Sequence, residues 1–186
     1  MKVTVIGLGY LGATHAVAMA ELGHHVIGIE ADPGRLSALQ EGKLPFHEPG
    51  LDEALTRTLA TGRITFQGSH DENTKDAHVH FLCVGTPQLP GSNAADTSYL
   101  HSAAEALAPY LSPTSVVAGK STVPVGTAKL LQEKLSSLAG FEAKLCWNPE
   151  FLREGTALED SLRPDRIVIG VDNADPHTEQ AMRSVY

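Results

Sequence analysis

The run "KVTVIGLGYLGATHAVAMAELG", residues 2–23, decides the fold. "KVTVI" is a short β-branched stretch of strand length. Gly7, Gly9 and Gly12 then fall as G-x-G-x-x-G, and from Tyr10 the apolar residues recur at helical spacing up to Gly23. Strand, glycine turn and helix in that order open a dinucleotide-binding βα unit. Gly7 allows the tight turn, Gly9 lets backbone approach a pyrophosphate, and Gly12 lets helix and strand pack closely. The N–H groups at the start of the helix suit phosphate, being free and partly positive. The same residues also mimic a secretory leader, with a Lys, an apolar stretch and an A-x-A-like end. Three glycines interrupt that stretch, so strand-turn-helix is the better reading and the expected compartment is the cytoplasm.

Working outward, "HVIGIE" (residues 25–30) is the second strand and ends on Glu30, 18 residues after Gly12. A carboxylate there accepts both ribose hydroxyls of an adenosine and repels a 2′-phosphate, which favours NAD over NADP; Arg35 tempers this, because a nearby Arg accommodates that phosphate. Asp32 and Pro33 open the next helix as cap and first turn. Strand-length runs follow at 63–66, 78–85, 114–121, 143–148 and 166–171. Helix-period segments lie at 51–60, 97–111 and 124–138. "HVHFLCVG" (78–85) is almost continuously apolar, as in a parallel strand covered on both faces. The alternation predicts an α/β, Rossmann-like, doubly wound and mainly parallel sheet with helices on both faces. Asp175-Pro176 and the stripe Ala181, Met182, Val185 start one more helix. The expectation is a single NAD-binding domain, residues 1–186, cut from a longer protein.

Composition narrows the function. The chain has 186 residues, 42% hydrophobic and 19% charged, with net charge −8 and no Lys/Arg cluster. That suits a globular core and argues against nucleic acid or an anionic membrane as partner. Cys83 and Cys146 both sit in apolar runs and read as buried thiols. Of the nine histidines, the pairs His24-His25 and His78/His80 have no Cys or carboxylate at ligand spacing nearby, so no metal site is expected. No run approaches the ~20 apolar residues of a membrane-spanning helix.

Ligands in such sheets sit outside the carboxyl ends of the strands. Three strand ends carry polar groups there: "CVGTP" brings Thr86, "GKSTVPVG" brings Lys120, Ser121 and Thr122, and "WNPEFLREG" brings Asn148, Glu150 and Glu154. The two glutamates stand four apart. If that stretch winds into a helical turn they share one face, at a cost of a few tenths of a kcal/mol.

Together, "GLGYLG", "KLPFHEPGLDEAL", "CVGTP", "ADTSYL", "KSTVPVGT", "NPEFLREGTA" and "RPDRIVIG" resemble the nucleotide-sugar 6-dehydrogenase family (UDP-glucose/GDP-mannose dehydrogenases) over essentially the whole chain. The last motif resembles its UDP-glucose branch most. The GDP-mannose and UDP-N-acetylmannosamine branches, a β-hydroxyacid dehydrogenase and a stand-alone NAD-binding module are the alternatives. The resemblance implies oxidation of a sugar C6 alcohol to a carboxylate in two NAD-dependent steps, through a thiohemiacetal and a thioester on a cysteine. It places Glu30 and Arg35 at the adenosine half of NAD. Gly7, Gly9, Tyr10, Leu11, Gly12, Val84, Gly85, Thr86, Pro87, Ser121, Thr122 and Glu154 complete the cofactor site. Thr122 would also hold a catalytic water, Glu150 would be a general base, and Glu154 would touch cofactor and substrate. Glu150, Phe151, Leu152, Arg153 and Glu154 would line the sugar pocket. The family's nucleophilic cysteine belongs to segments after residue 186, so the fragment is expected to bind NAD but be inert, and the parent to be a homodimer. Glu30 departs from the family's usual Asp by one methylene.

Overall fold

The computed structural model describes residues 1–171 and 175–186. Its strands are β1 (Lys2–Ile6), β2 (His25–Ile29), β3 (Ile64–Gln67), β4 (Val79–Leu82), β5 (Val116–Gly119) and β6 (Lys144–Trp147). They form one sheet in the order β3-β2-β1-β4-β5-β6, every pair parallel. The chain runs outward from β1 to β3, then returns to lay β4 against the other side of β1. That reversal is the switch point at which doubly wound sheets bind nucleotides.

The helices are α1 (Tyr10–Glu21), α2 (Pro33–Gln40), α3 (Leu51–Ala60), α4 (Ser98–Leu107), α5 (Thr127–Ala139), α6 (Ala157–Leu162) and α7 (Pro176–Val185). Alternate strand residues serve opposite layers. Val3, Val5, Phe81, Val116 and Ala118 pack with residues of α1, α3 and α7. Ile6, Leu82, Val117 and Leu145 pack with Leu100 and Leu107 of α4 and with Leu131 and Leu135 of α5. Both faces are therefore dry, which is why the central strands read as unbroken apolar runs. Asp32 caps α2 as expected, its Oδ1 accepting from the Arg35 N–H at 2.7 Å.

Three expectations of secondary structure need correction. The run at 166–171 is not a strand: Trp147 and Gly170 make a single antiparallel bridge, and Ile167 and Val168 are exposed. The sheet ends at β6, and only Ile169 and Val171 of that run pack against the core. The helix expected over 97–111 stops at Leu107 and tightens into a 3₁₀ turn, Ala108–Tyr110, because Pro109 has no N–H to continue it. The helix expected from 124 starts at Thr127, after a turn at Gly126. A 3₁₀ turn at Glu72–Asp76 and the six-residue α6 were not foreseen; both are too short to set a period.

Two core histidines make stability pH-dependent. His80 is fully buried, with Nδ1 2.8 Å from the Thr4 hydroxyl, and burial pushes its pKa down to about 3. His15 is buried edge-on to Phe81, and burial followed by the charge of Lys120 holds it well below the ordinary imidazole value. Both are neutral in the native chain and take up protons when it unfolds, so stability falls as pH drops below the ordinary histidine pKa. The slope is about 1.4 kcal/mol per pH unit for each. Urea unfolding at pH 7 and pH 5 should show that loss, and His80→Leu should remove part of it. A pH-independent free energy between those values would contradict it.

Candidate cofactor and active site

A cleft of about 1320 Å³ opens outside the carboxyl ends of β1, β2, β4 and β5. From the first turn come Gly7, Gly9, Tyr10 and Leu11; from the end of β2, Glu30 and Arg35. Val84, Gly85, Thr86 and Pro87 follow β4, and Ser121 and Thr122 follow β5. Gly12 lies behind the lining. A Cβ on Gly12 would sit 1.9 Å from the Gly7 carbonyl oxygen, whereas a Cβ on Gly9 would meet nothing within 4 Å. Gly7 itself has φ +84°, open to glycine at no steric cost. The backbone is thus pinched where helix meets strand and bare where an anion would approach, and the cleft fits a dinucleotide.

Glu30 is buried and already bonded. Its Oε2 accepts from the Leu8 N–H at 2.9 Å and from Arg35 Nη1 at 3.0 Å, and its Oε1 accepts from the Asp32 N–H at 2.9 Å. A carboxylate offers about four acceptor positions, so one remains, on Oε1. The expectation that Glu30 takes both ribose hydroxyls is corrected to one. Arg35 is paired with Glu30 through Nη1 alone.

The β4 and β5 loops are stapled together. Thr86 Oγ1 donates to the Thr122 carbonyl at 2.7 Å, and Ser121 Oγ donates to the Val84 carbonyl at 2.5 Å. Thr122 is exposed beside them.

The "NPEFLREG" stretch is not helical. Residues 149–153 have no regular structure and 154–155 form a turn, so Glu150 and Glu154 do not share a helical face. Pro149 and the left-handed Gly155, φ +88°, are the local reasons. Glu150 stands at the junction of the cleft with a second cavity of about 240 Å³, and its Oε2 is buried with no hydrogen-bond partner among the described residues. Leu152 and Arg153 line that second cavity with Phe151, which stacks under Arg166 at 4.7 Å. Arg153 is held by a two-point pair with Asp160. Glu154 is exposed and lines neither cavity; it lies close enough to Tyr10 to help raise its phenol.

Two polar clusters were not foreseen, although Lys120 and Asn148 were expected at strand ends. Lys120 is buried at the floor of the second cavity, donating to Asn148 Oδ1 at 3.0 Å and to the Tyr186 hydroxyl at 3.3 Å. Tyr186 donates to the same Asn148 oxygen at 2.5 Å. Burial pushes the Lys120 ammonium down and the Tyr186 phenol up. A Lys closing a buried apolar strand was the available signal. Glu48, from "FHEPG", is buried and accepts from the Tyr10 hydroxyl at 2.6 Å, the Gly155 N–H at 2.9 Å and the Ala157 N–H at 2.7 Å. Nothing in the sequence joins it to residues more than a hundred positions away. Among the described residues, no group of three His, Cys, Asp or Glu could hold a metal, and no helix is long and apolar enough to cross a membrane.

Residues 1–186 match the family model described as the UDP-glucose/GDP-mannose dehydrogenase family, NAD binding domain. The chain belongs to that family. It is 42% identical to the UDP-glucose 6-dehydrogenase of Rhizobium meliloti and 40% identical to that of Pseudomonas aeruginosa, aligned over its whole length. It spans only 43% and 42% of those proteins. Among solved structures it overlays a UDP-glucose dehydrogenase from Pyrobaculum islandicum with TM-score 0.92 at 40% identity, covering all of this chain and 43% of that one. A GDP-mannose dehydrogenase from Pseudomonas aeruginosa gives the same TM-score at 29% identity, covering 44% of its chain. The domain therefore binds NAD, and the bare backbone at Gly9 and the acceptor left on Glu30 suit that cofactor.

Burial pushes both thiols, Cys83 and Cys146, up to about 12, the reverse of what a nucleophile needs. A thiol reagent at pH 8 should label neither in the native chain and both after unfolding; one fast native reaction would contradict this. Gly9→Ala should leave the unfolding midpoint in place yet weaken NAD binding, whereas Gly12→Ala should lower the midpoint. Equal effects on stability would refute the division of labour between them.

Proposed function

We propose that the chain is the cofactor half of an enzyme that oxidises UDP-glucose to UDP-glucuronate, consuming two NAD and one water. The observation that carries this reading is Glu150: a carboxylate with a buried oxygen that has no partner among the described residues, set where the dinucleotide cleft meets the second cavity. Higher identity to the UDP-glucose enzymes than to the GDP-mannose enzyme supports the choice of sugar nucleotide. Bound NAD supplies the hydride acceptor for sugar C6. The residues of this chain hold and orient. The α1 N-terminus and the bare Gly9 carry the pyrophosphate, Glu30 takes a ribose hydroxyl, and Val84–Pro87 with Ser121 wall the remainder of the cleft. Thr122 offers a hydroxyl to a water at the open edge, and Glu150 takes that water's proton as the thioester is hydrolysed. The cysteine that carries the thioester lies in the rest of the protein, beyond the segment described, as does the larger part of the sugar site. On this reading the domain alone turns over no substrate. Glu154, exposed at the rim, meets the sugar only when that other half closes over it.

Removing a general base typically costs about 10²–10⁴ in rate. Glu150→Gln in the whole enzyme should therefore release a burst of NADH and then stall, with sugar nucleotide covalently attached by intact mass. Turnover within a few-fold of normal, with no adduct, would remove Glu150 from the catalytic set.

A further inference from the structure

Asn148 anchors the start of the 149–156 loop to the sheet, its N–H donating to the Gly119 carbonyl at 2.8 Å and its Nδ2 to the Val168 carbonyl at 2.9 Å. The chain is next secured where α6 begins, at the buried Ala157. Between these points runs the segment that bears Glu150 and Glu154. Arg153 pairs with Asp160, seven residues on, and Thr156 bonds to the same two residues. All of these ties are local. Among the described residues, the hydrogen bonds that join residues 149–157 to a distant part of the chain are those made to Glu48, by the Gly155 and Ala157 N–H groups.

Glu48 is 1% exposed and has no cation paired with it among the described residues. An unpaired buried anion is costly, and ending a turn requires none. Burial pushes its pKa up. The hydrogen bonds from Tyr10 and from the amides of Gly155, Ala157 and Leu158 outweigh that and hold it below the ordinary carboxylate value. The group is thus an anion that accepts from every side. Its third partner is the informative one. Tyr10 is the first residue of α1 and lines the dinucleotide cleft, and its phenol, pushed up to about 12 by burial and then by Glu48, stays a donor.

We propose that Glu48 is a positioning residue that clamps the 150–154 loop against the cofactor cleft, through the Gly155 and Ala157 amides on one side and the Tyr10 hydroxyl on the other. One carboxylate thereby fixes the distance between the cofactor's helix and the loop that carries the glutamates. The idea rests on the function proposed above for Glu150, and misplacing a reacting group by about 1 Å can cost about 10²-fold in rate. Glu48→Gln is the sharp variant. It keeps the size but swaps one acceptor oxygen for an NH₂ that faces donors.

The test uses the whole enzyme that carries this chain. In Glu48→Gln, hydrogen exchange of the 150–157 peptide should quicken while that of α1 stays unchanged. Turnover of UDP-glucose should fall by about 10²-fold with the dissociation constant of NAD unmoved. A loop as protected as in the unaltered enzyme would overturn the proposal. So would a loosened loop with undiminished turnover, or an NAD affinity lost in step with turnover, which would make Glu48 a general scaffold residue. If Glu48→Gln does not fold, Glu48→Asp, with the same charge on a shorter stem, is read by the same criteria. An unaltered enzyme that turns over no sugar nucleotide would refute the proposed function, and the exchange measurement would still decide whether Glu48 clamps the loop.

Discussion

The contact between Gly12 and the Gly7 carbonyl is the constraint on which the site depends. No side chain fits there: a Cβ on Gly12 would stand 1.9 Å from that oxygen. The pinch seats α1 directly on the end of β1, and α1 then aims its free N–H groups across the switch point between β1 and β4. The loops after β4, β5 and β6 end at the same edge of the sheet. Parallel pairing puts every strand's carboxyl end on one side, so residues as far apart in sequence as Gly9, Thr86, Thr122 and Glu150 arrive at a common cleft.

Much of this was legible in the chain. The glycine spacing, the acidic residue closing β2 and the doubly apolar β4 each follow from a local rule, and the sheet combines them as those rules require. Legibility failed where the outcome depends on what covers a segment. "RIVIGV" has strand composition but lies beyond the last strand, with Ile167 and Val168 facing out. Residues 149–153 have two carboxylates at helical spacing, yet Pro149 and a left-handed Gly155 deny them a helix.

The buried polar groups were the least visible from sequence. Glu48 looks like an ordinary surface charge in the chain and Lys120 like a polar group closing a strand, and both are buried in the fold. Each is satisfied by partners that only tertiary structure supplies: backbone amides and a phenol for Glu48, an amide oxygen and a phenol for Lys120. Buried charges of this kind specify one arrangement, because a displaced partner leaves an unmet ion in a dry place. Lys120 lines the second cavity beside Glu150, and Glu48 ties the start of α1 to the residues that follow the 149–153 stretch.

The measurement that bears most directly on this account is calorimetric titration of the domain with NAD and, separately, with NADP. The account predicts one site, with NAD bound the more tightly, because the acceptor left on Glu30 takes a ribose hydroxyl and repels a 2′-phosphate. Equal affinities, or no binding of either, would contradict it.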